Sequence, residues 1–159
     1  MNDESDLQPL VLSEQVRADL IDAVNSYLLL CEKRELEAAS EYLAPGANLM
    51  FPGGFHYTNL NDMVADAQRR YKWARKHRTD FDVFLDDQGD AVVVSRGTLD
   101  GESLSGRQFS NVRYQDRFVF RGGKIIDQQV WNDLGASGVL DPLGHLAALH
   151  AGEPGAPST

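Results

Sequence analysis

The chain has one cysteine, Cys31, so an internal disulfide and a thiolate metal cluster are both excluded. Positive charge is scarce: 15 Lys+Arg stand against 24 Asp+Glu, a formal net charge of −9. Such a surface repels a phosphate backbone and argues against nucleic acid as a partner. No window approaches about 18 uninterrupted apolar residues, so no membrane-spanning helix and no membrane partner are expected. The opening MNDESDLQ is acidic where a secretory signal would be basic, and the expected location is cytoplasmic. The four histidines (His56, His77, His145 and His150) show no paired ligand spacing. Gly53-Gly54 and Gly122-Gly123 read as turn glycines rather than a phosphate cradle. Neither a metal nor a cofactor is expected.

What remains is an ordinary globular composition, 42% hydrophobic and 25% charged over 159 residues, enough for one domain. The expected organisation is a flexible arm over 1–10, a single α+β domain over 11–150 and a disordered tail over 151–159, where AGEPGAPST offers no apolar anchor. Ser13 can cap a helix whose apolar stripe is Val16, Leu20, Val24, Tyr27, Leu28 and Cys31. A second short helix with Leu36, Ala39 and Leu43 inward stops at Pro45-Gly46. A short strand over 48–51 follows, and His56-Tyr57 forms a return strand. Asn59 or Asn61 then opens a third helix with Leu60, Met63, Val64, Ala67, Tyr71 and Ala74 on one side. The basic run RRYKWARKHR is read as its C-terminus, where positive charge complements the helix dipole.

Beyond Thr79 the period becomes two. Strands are expected over 80–86, 91–99, 108–121 and 124–132, the last pair joined by a hairpin at Gly122-Gly123. Three helices followed by four antiparallel strands predict an α+β domain, a curved antiparallel sheet with helices on one face. Asp141-Pro142 through His150 carries the start signal of a short closing helix.

In the strand over 108–121, one face holds Val112, Tyr114, Phe118 and Phe120, and Asp116 shares their parity. A carboxylate among aromatic side chains must be paired, hydrogen-bonded or protonated. Two readings follow: an inward polar residue satisfied by a backbone amide or by an arginine, or a pocket aspartic acid with a raised pKa. Tyr27, on the apolar stripe of the first helix, packs toward the same face and needs a partner for its hydroxyl.

The phrase SYLLLCEKRELEAASEYLAPGANLMFP and the hairpin YQDRFVFRGGKI, with the order of helices and strands, resemble the nuclear transport factor 2-like superfamily over about residues 12 to 134. That superfamily contains ketosteroid isomerase, scytalone dehydratase, limonene epoxide hydrolase and the SnoaL-like polyketide cyclases. The resemblance implies a cone-shaped sheet with three N-terminal helices on its concave face. It places Tyr27 where ketosteroid isomerase has its oxyanion-hole tyrosine, and Asp116 where that enzyme has its protonated aspartic acid. In the isomerase an apolar environment keeps that carboxylic acid neutral, so that it can donate a hydrogen bond. Where the isomerase has its general base, just before a proline, this chain has Phe51, which cannot accept a proton. The base must then come from elsewhere. Asp133 lies near where SnoaL-like cyclases place an acid/base aspartate, and it also reads as a cap for the turn at Gly135. His56, near the expected pocket mouth, titrates near neutrality; it also reads as an ordinary surface histidine.

Phe51, Tyr71 and Trp131 are candidate walls for a flat ligand, Tyr71 reading equally as core, while Trp73 falls off the helical stripe toward an interface. Trp131 and Asp133 share parity and should point to one side. Two functions fit. One is a cofactor-independent isomerase, cyclase or dehydratase handling an enolate or phenolate of a small aromatic or polyketide-like carbonyl compound, with Tyr27, Asp116 and Asp133 or His56 in catalysis. The other is a non-catalytic domain that binds a small hydrophobic molecule in the cone or forms a homodimer through Asn111, Arg113, Gln115 and Arg117.

Overall fold

The computed structural model describes residues 11–140. The arm over 1–10, the closing helix over 141–150 and the tail over 151–159 all lie outside the described residues. The element order is α1 (Glu14–Glu32), α2 (Leu36–Ser40), β1 (Leu43–Phe51), β2 (Phe55–Tyr57), α3 (Leu60–Ala67), β3 (Tyr71–Leu85), β4 (Ala91–Ser103), β5 (Gln108–Arg121), β6 (Lys124–Asn132) and α4 (Leu134–Ser137). This is an α+β domain with its helices before the long strands, and none of the described helices is long and apolar enough to cross a membrane.

Local chemistry sets the helix starts. The Ser13 hydroxyl accepts from the Val16 amide at 3.2 Å and the Asn59 carbonyl oxygen accepts from the Asp62 amide at 2.9 Å, each satisfying an orphan first-turn donor. Val24, Tyr27 and Leu28 of α1 are buried against Leu49, Phe118, Phe120 and Ile125 of the sheet and Leu60 and Met63 of α3. The first turn of the stripe stays out of the core, with Val16 exposed.

Six strands form one curved, unclosed sheet in the order β2-β1-β6-β5-β4-β3. The sheet is mixed rather than wholly antiparallel, because β1 runs parallel to β6 while all other neighbours are antiparallel. Strand β1 also starts earlier than the sequence pattern suggests, at Leu43, with Pro45 and Gly46 inside it. Its pairing with β6 is irregular between Leu43 and Asn48, which accommodates the amide missing at the proline.

The largest departure concerns the basic run. Helix α3 ends at Ala67, and residues 71–78 are not its C-terminus but the first half of β3, paired with β4 from Tyr71↔Ser103 to Leu85↔Ala91. Tyr71 and Trp73 are therefore strand residues. Two register shifts, at Tyr71/Trp73 and Arg78/Asp80, reset the alternation. As a result Tyr71, then Ala74 and Lys76, line an internal cavity. Arg78 meets α1, and Phe81 and Val83 reach the core.

Close approach of β3 to β4 depends on two glycines. A Cβ on Gly97 would lie 1.8 Å from the His77 carbonyl oxygen, and one on Gly101 would lie 2.4 Å from that of Trp73. Backbone atoms cannot step aside as a side-chain tip can. Gly97→Ala should therefore destabilise the domain by about 3 kcal/mol, a severe case of overpacking, readable as a lowered urea midpoint with unchanged m-value.

Candidate active site

Between α1, α3 and the inner face of the sheet lies a cavity of about 100 Å³, room for several waters or a compact organic molecule. Its apolar wall includes Leu28, Phe51, Met63, Leu99, Val130 and Leu134, and its polar lining is Tyr27, Cys31, Glu32, Arg34, Tyr71, Lys76, Gln128 and Asn132.

Tyr27 is delivered by the buried stripe of α1 and is 1% exposed. Its ring stands edge-on to Phe118, centroids 5.9 Å apart, and its hydroxyl donates to Gln128 Oε1 at 2.7 Å. Burial, with Cys31 and Asp116 nearby, pushes its pKa well up, so the hydroxyl keeps its proton and remains a donor. Burial also lifts the Cys31 thiol to about 11, opposed by Tyr27, Lys76 and Arg34, so it stays protonated near neutral pH.

Asp116 is fully buried at the middle of β5, between Ser95 of β4 and Val130 of β6. It has a partner that the sequence did not suggest. Lys76 Nζ donates to its Oδ2, and the ammonium sits 4.8 Å from the Tyr114 ring centroid. Oδ1 is buried without a hydrogen bond. Burial pushes the Asp116 carboxyl up while the Lys76 and Arg78 cations pull it back, and burial wins. Lys76, not Asp116, forms the cavity surface. A second ion pair lies beside it: Glu32, the last residue of α1, accepts at Oε1 from Arg78 Nη1 at 2.9 Å and from the Lys76 amide at 3.2 Å.

Of the residues singled out from sequence, Tyr27, Phe51 and Tyr71 line this cavity together, with Asp116 one side chain behind it. Three others lie elsewhere. Trp131 is 48% exposed, on the opposite face of β6 from Gln128 and Val130, in a shallow depression with Arg113, Gln115 and Asp133. Trp131 and Asp133 thus share a side as parity requires, and it is the outer one. The Asp133 carboxylate accepts from Arg113 Nε at 2.7 Å and makes no capping bond; the Leu134 amide is capped by Asn132 Oδ1 instead, at 3.1 Å. His56 Nδ1 meets Asn48 Oδ1 at 2.8 Å, and Asn48 donates in turn to Asp127. Leu49 and Gln128 face the core, so Asn48 and Asp127 face away from it, and His56 goes with them.

Lys76, Glu32, Arg34 and Gln128 escaped the sequence reading. Gln128 was within reach, since it shares the parity of Val130 in β6. Among the described residues, no group of three or more His, Cys, Asp or Glu could hold a metal ion.

No family model matches the sequence, and no curated protein sequence matches it. Solved structures do. An NTF2-like protein of unknown function from Burkholderia pseudomallei is 15% identical, with 75% of this chain and 94% of that one covered and a TM-score of 0.62. TerC, crystallised with polyporic acid, is 19% identical over 75% of this chain and 95% of its own, with a TM-score of 0.63. ActVI-ORFA from Streptomyces coelicolor is 11% identical over 75% and 98%, with a TM-score of 0.60. At these identities the likeness establishes the fold.

The buried pair makes a pH-dependent prediction. A carboxyl whose folded pKa is raised binds its proton in the native state at pH values where the unfolded chain has lost it. Its contribution to stability is full below the unfolded value, about 3.9, and is lost as pH rises through the folded value. Lys76→Met removes the cation that pulls the carboxyl down and widens that window. The variant should lose about 3–5 kcal/mol near pH 8 and distinctly less near pH 5, where the stranded carboxylate takes up a proton. Adding Asp116→Asn should recover most of the loss at the higher pH. Urea unfolding at the two pH values tests this, and a loss independent of pH would contradict it.

Proposed function

Taking the nuclear transport factor 2-like fold as the premise, we propose that this chain is a cofactor-independent enzyme handling the enolate or phenolate of a small aromatic or polyketide-like carbonyl compound. The reaction is a proton transfer of the isomerase, cyclase or dehydratase kind. The observation that carries this reading is the joint lining of one internal cavity by the Tyr27 hydroxyl, the Lys76 ammonium and the Glu32 carboxylate.

In this reading the ligand oxygen binds between Tyr27 and Lys76. The tyrosine keeps its single proton, which turns from Gln128 Oε1 to the ligand oxygen, and the ammonium has three donors of which Asp116 takes one. Both groups stabilise negative charge developing on that oxygen more than they stabilise a neutral carbonyl, and the partly dry cavity strengthens the difference. Asp116 orients the ammonium and does not itself touch the ligand. Glu32 is the base: both of its hydrogen bonds fall on Oε1, which leaves Oε2 to accept a proton. Phe51, in the place of the isomerase base, is a wall beside Tyr71. Asp133, His56 and Trp131 line other surfaces and take no part.

A second reading, a non-catalytic ligand-binding or homodimerising domain, draws on the outer sheet face. There half-exposed Trp131 sits beside Arg113, Gln115 and Asp133 in an aromatic and hydrogen-bonding patch of interface character. Titration with phenols of graded acidity separates the two. The enzyme reading expects bound phenolate, seen as a shifted absorbance, and about 30-fold weaker binding in Tyr27→Phe, as for loss of one hydrogen bond to a charged group. Absence of binding at millimolar phenol would leave the second reading.

A further inference from the structure

Lys76 is the one primary amine that lines the cavity among the described residues, and its surroundings differ from those of a surface lysine. Its side chain is 15% exposed and its Nζ is held against Asp116, a carboxylate with no exposure at all. From α1 it faces Tyr27, Cys31 and Glu32; from β5, Asp116 and Tyr114; on its own strand, Arg78 stands two residues along.

We propose that Lys76 is a covalent nucleophile, and that the cone forms an imine between its Nζ and the carbonyl carbon of a small ketone or aldehyde. This rests on the carbonyl-handling reading above and goes beyond it, because the electron sink becomes a protonated imine rather than a hydrogen-bonded oxygen.

The arrangement supplies each proton the step needs. Held at 15% exposure against a carboxylate with none, the ammonium can pass a proton to Asp116, which leaves a neutral amine and a carboxylic acid and removes both charges from the buried side of the cavity. Burial raises the Asp116 carboxyl toward accepting that proton. The Nζ lone pair attacks the carbonyl carbon; a C–N bond forms, and the C=O π pair moves to oxygen, where the Tyr27 hydroxyl donates to it. Glu32, on the cavity surface, carries a proton from the nitrogen to that oxygen, leaving a neutral carbinolamine. Asp116 then returns its proton to the nitrogen it touches, Glu32 carries one from there to the hydroxyl, the C–O bond breaks, and water leaves, with Glu32 unchanged. The product is a protonated imine beside the Asp116 carboxylate. Overall one ketone and one lysine ammonium give one iminium and one water, with Asp116 unchanged and no oxidant or reductant consumed. Desolvation of the amine and a fixed proton acceptor are the two conditions that make a lysine nucleophilic near neutral pH. Lys76 is 15% exposed and held against a buried carboxylate, whereas Lys72, on the outer side of the same strand, is half exposed and paired with Glu102.

Reductive trapping tests this on the wild-type chain. Acetone and cyanoborohydride convert any iminium to an isopropyl-lysine, and peptide mapping over time ranks Lys33, Lys72, Lys76 and Lys124. Lys76 should label about tenfold faster than Lys72 or more, as expected for a positioned, desolvated amine. Tyr27→Phe should slow Lys76 without slowing Lys72. Lys76→Arg should lose the fast site while Lys33, Lys72 and Lys124 label as in the wild type. Labelling of Lys76 no faster than Lys72 overturns the covalent role. If phenolate still binds in that case, the oxyanion reading stands without it; if phenolate fails as well, both fall together.

Discussion

The buried pairing of Lys76 with Asp116 is the constraint around which the inner face of the curved sheet is built. Moving two charges out of water costs several kcal/mol each, and their mutual attraction repays this only when the partners are held closely and the remaining donors are used. Here the ammonium also lies over the Tyr114 ring, and a second pair, Arg78 with Glu32, stands on the same inner side of β3. The two pairs tie β3 to the middle of β5 and to the last turn of α1. The helix therefore sits in the sheet by charge matching at one end and by apolar contact of Val24 and Leu28 along its length. One lone oxygen, Asp116 Oδ1, is left without a partner. A pair of well-packed apolar residues would give comparable stability without that defect, so stability alone does not account for the choice of residues.

The same pair explains which part of the fold the sequence misrepresents. The caps at Ser13 and Asn59, the hairpin at Gly122-Gly123 and the inward parity of Asp116 are all local or strictly periodic signals, and each is legible. Residues 71–78 are different. A strand is recognised by apolar residues on alternate positions, but here two of the inward positions are Lys76 and Arg78, so the pattern that marks the buried face is missing. The register shifts at either end of the run break the period again. What remains is a cluster of cations after a helical stripe, which is also what a helix C-terminus looks like. Only partners distant in sequence, Asp116 forty residues on and Glu32 before it, make the strand reading the stable one.

Site residues divide along a similar line. Tyr27 and Phe51 were legible because their elements carry enough apolar neighbours to show which side faces in. Parity also placed Trp131 and Asp133 together correctly, yet parity says only that two residues share a face. In β6 the apolar residues Ile125, Ile126, Val130 and Trp131 fall on both parities, and a register shift opposite Val119/Phe120 separates them. The deciding residue is Gln128, whose bond to Tyr27 fixes the inner face and sends Trp131 outward. A polar residue thus marks the interior of this strand better than a tryptophan does.

The charge around the cavity bears on the proposed ligand. Lys76 and Arg78 are matched by Asp116 and Glu32, while Arg34, held by a bond from its Nη1 to the Cys31 carbonyl, has no carboxylate within ion-pair distance among the described residues. Among the described residues, three cations (Lys76, Arg78 and Arg34) and two carboxylates (Asp116 and Glu32) therefore lie at or just behind the cavity wall, one positive charge in surplus inside a chain whose total is −9. A neutral carbonyl compound entering this space leaves the surplus uncompensated, and a monoanion neutralises it. Under the proposed function the balance would improve as an enolate or phenolate forms, which is the condition for stabilising a transition state more than a substrate. Arg34 adopts a left-handed backbone, φ 61°, at the turn between α1 and α2, a conformation unfavourable for a residue with a side chain. Its strained placement at the cavity edge, with no carboxylate partner among the described residues, is what the proposed reading asks of a group that meets developing negative charge.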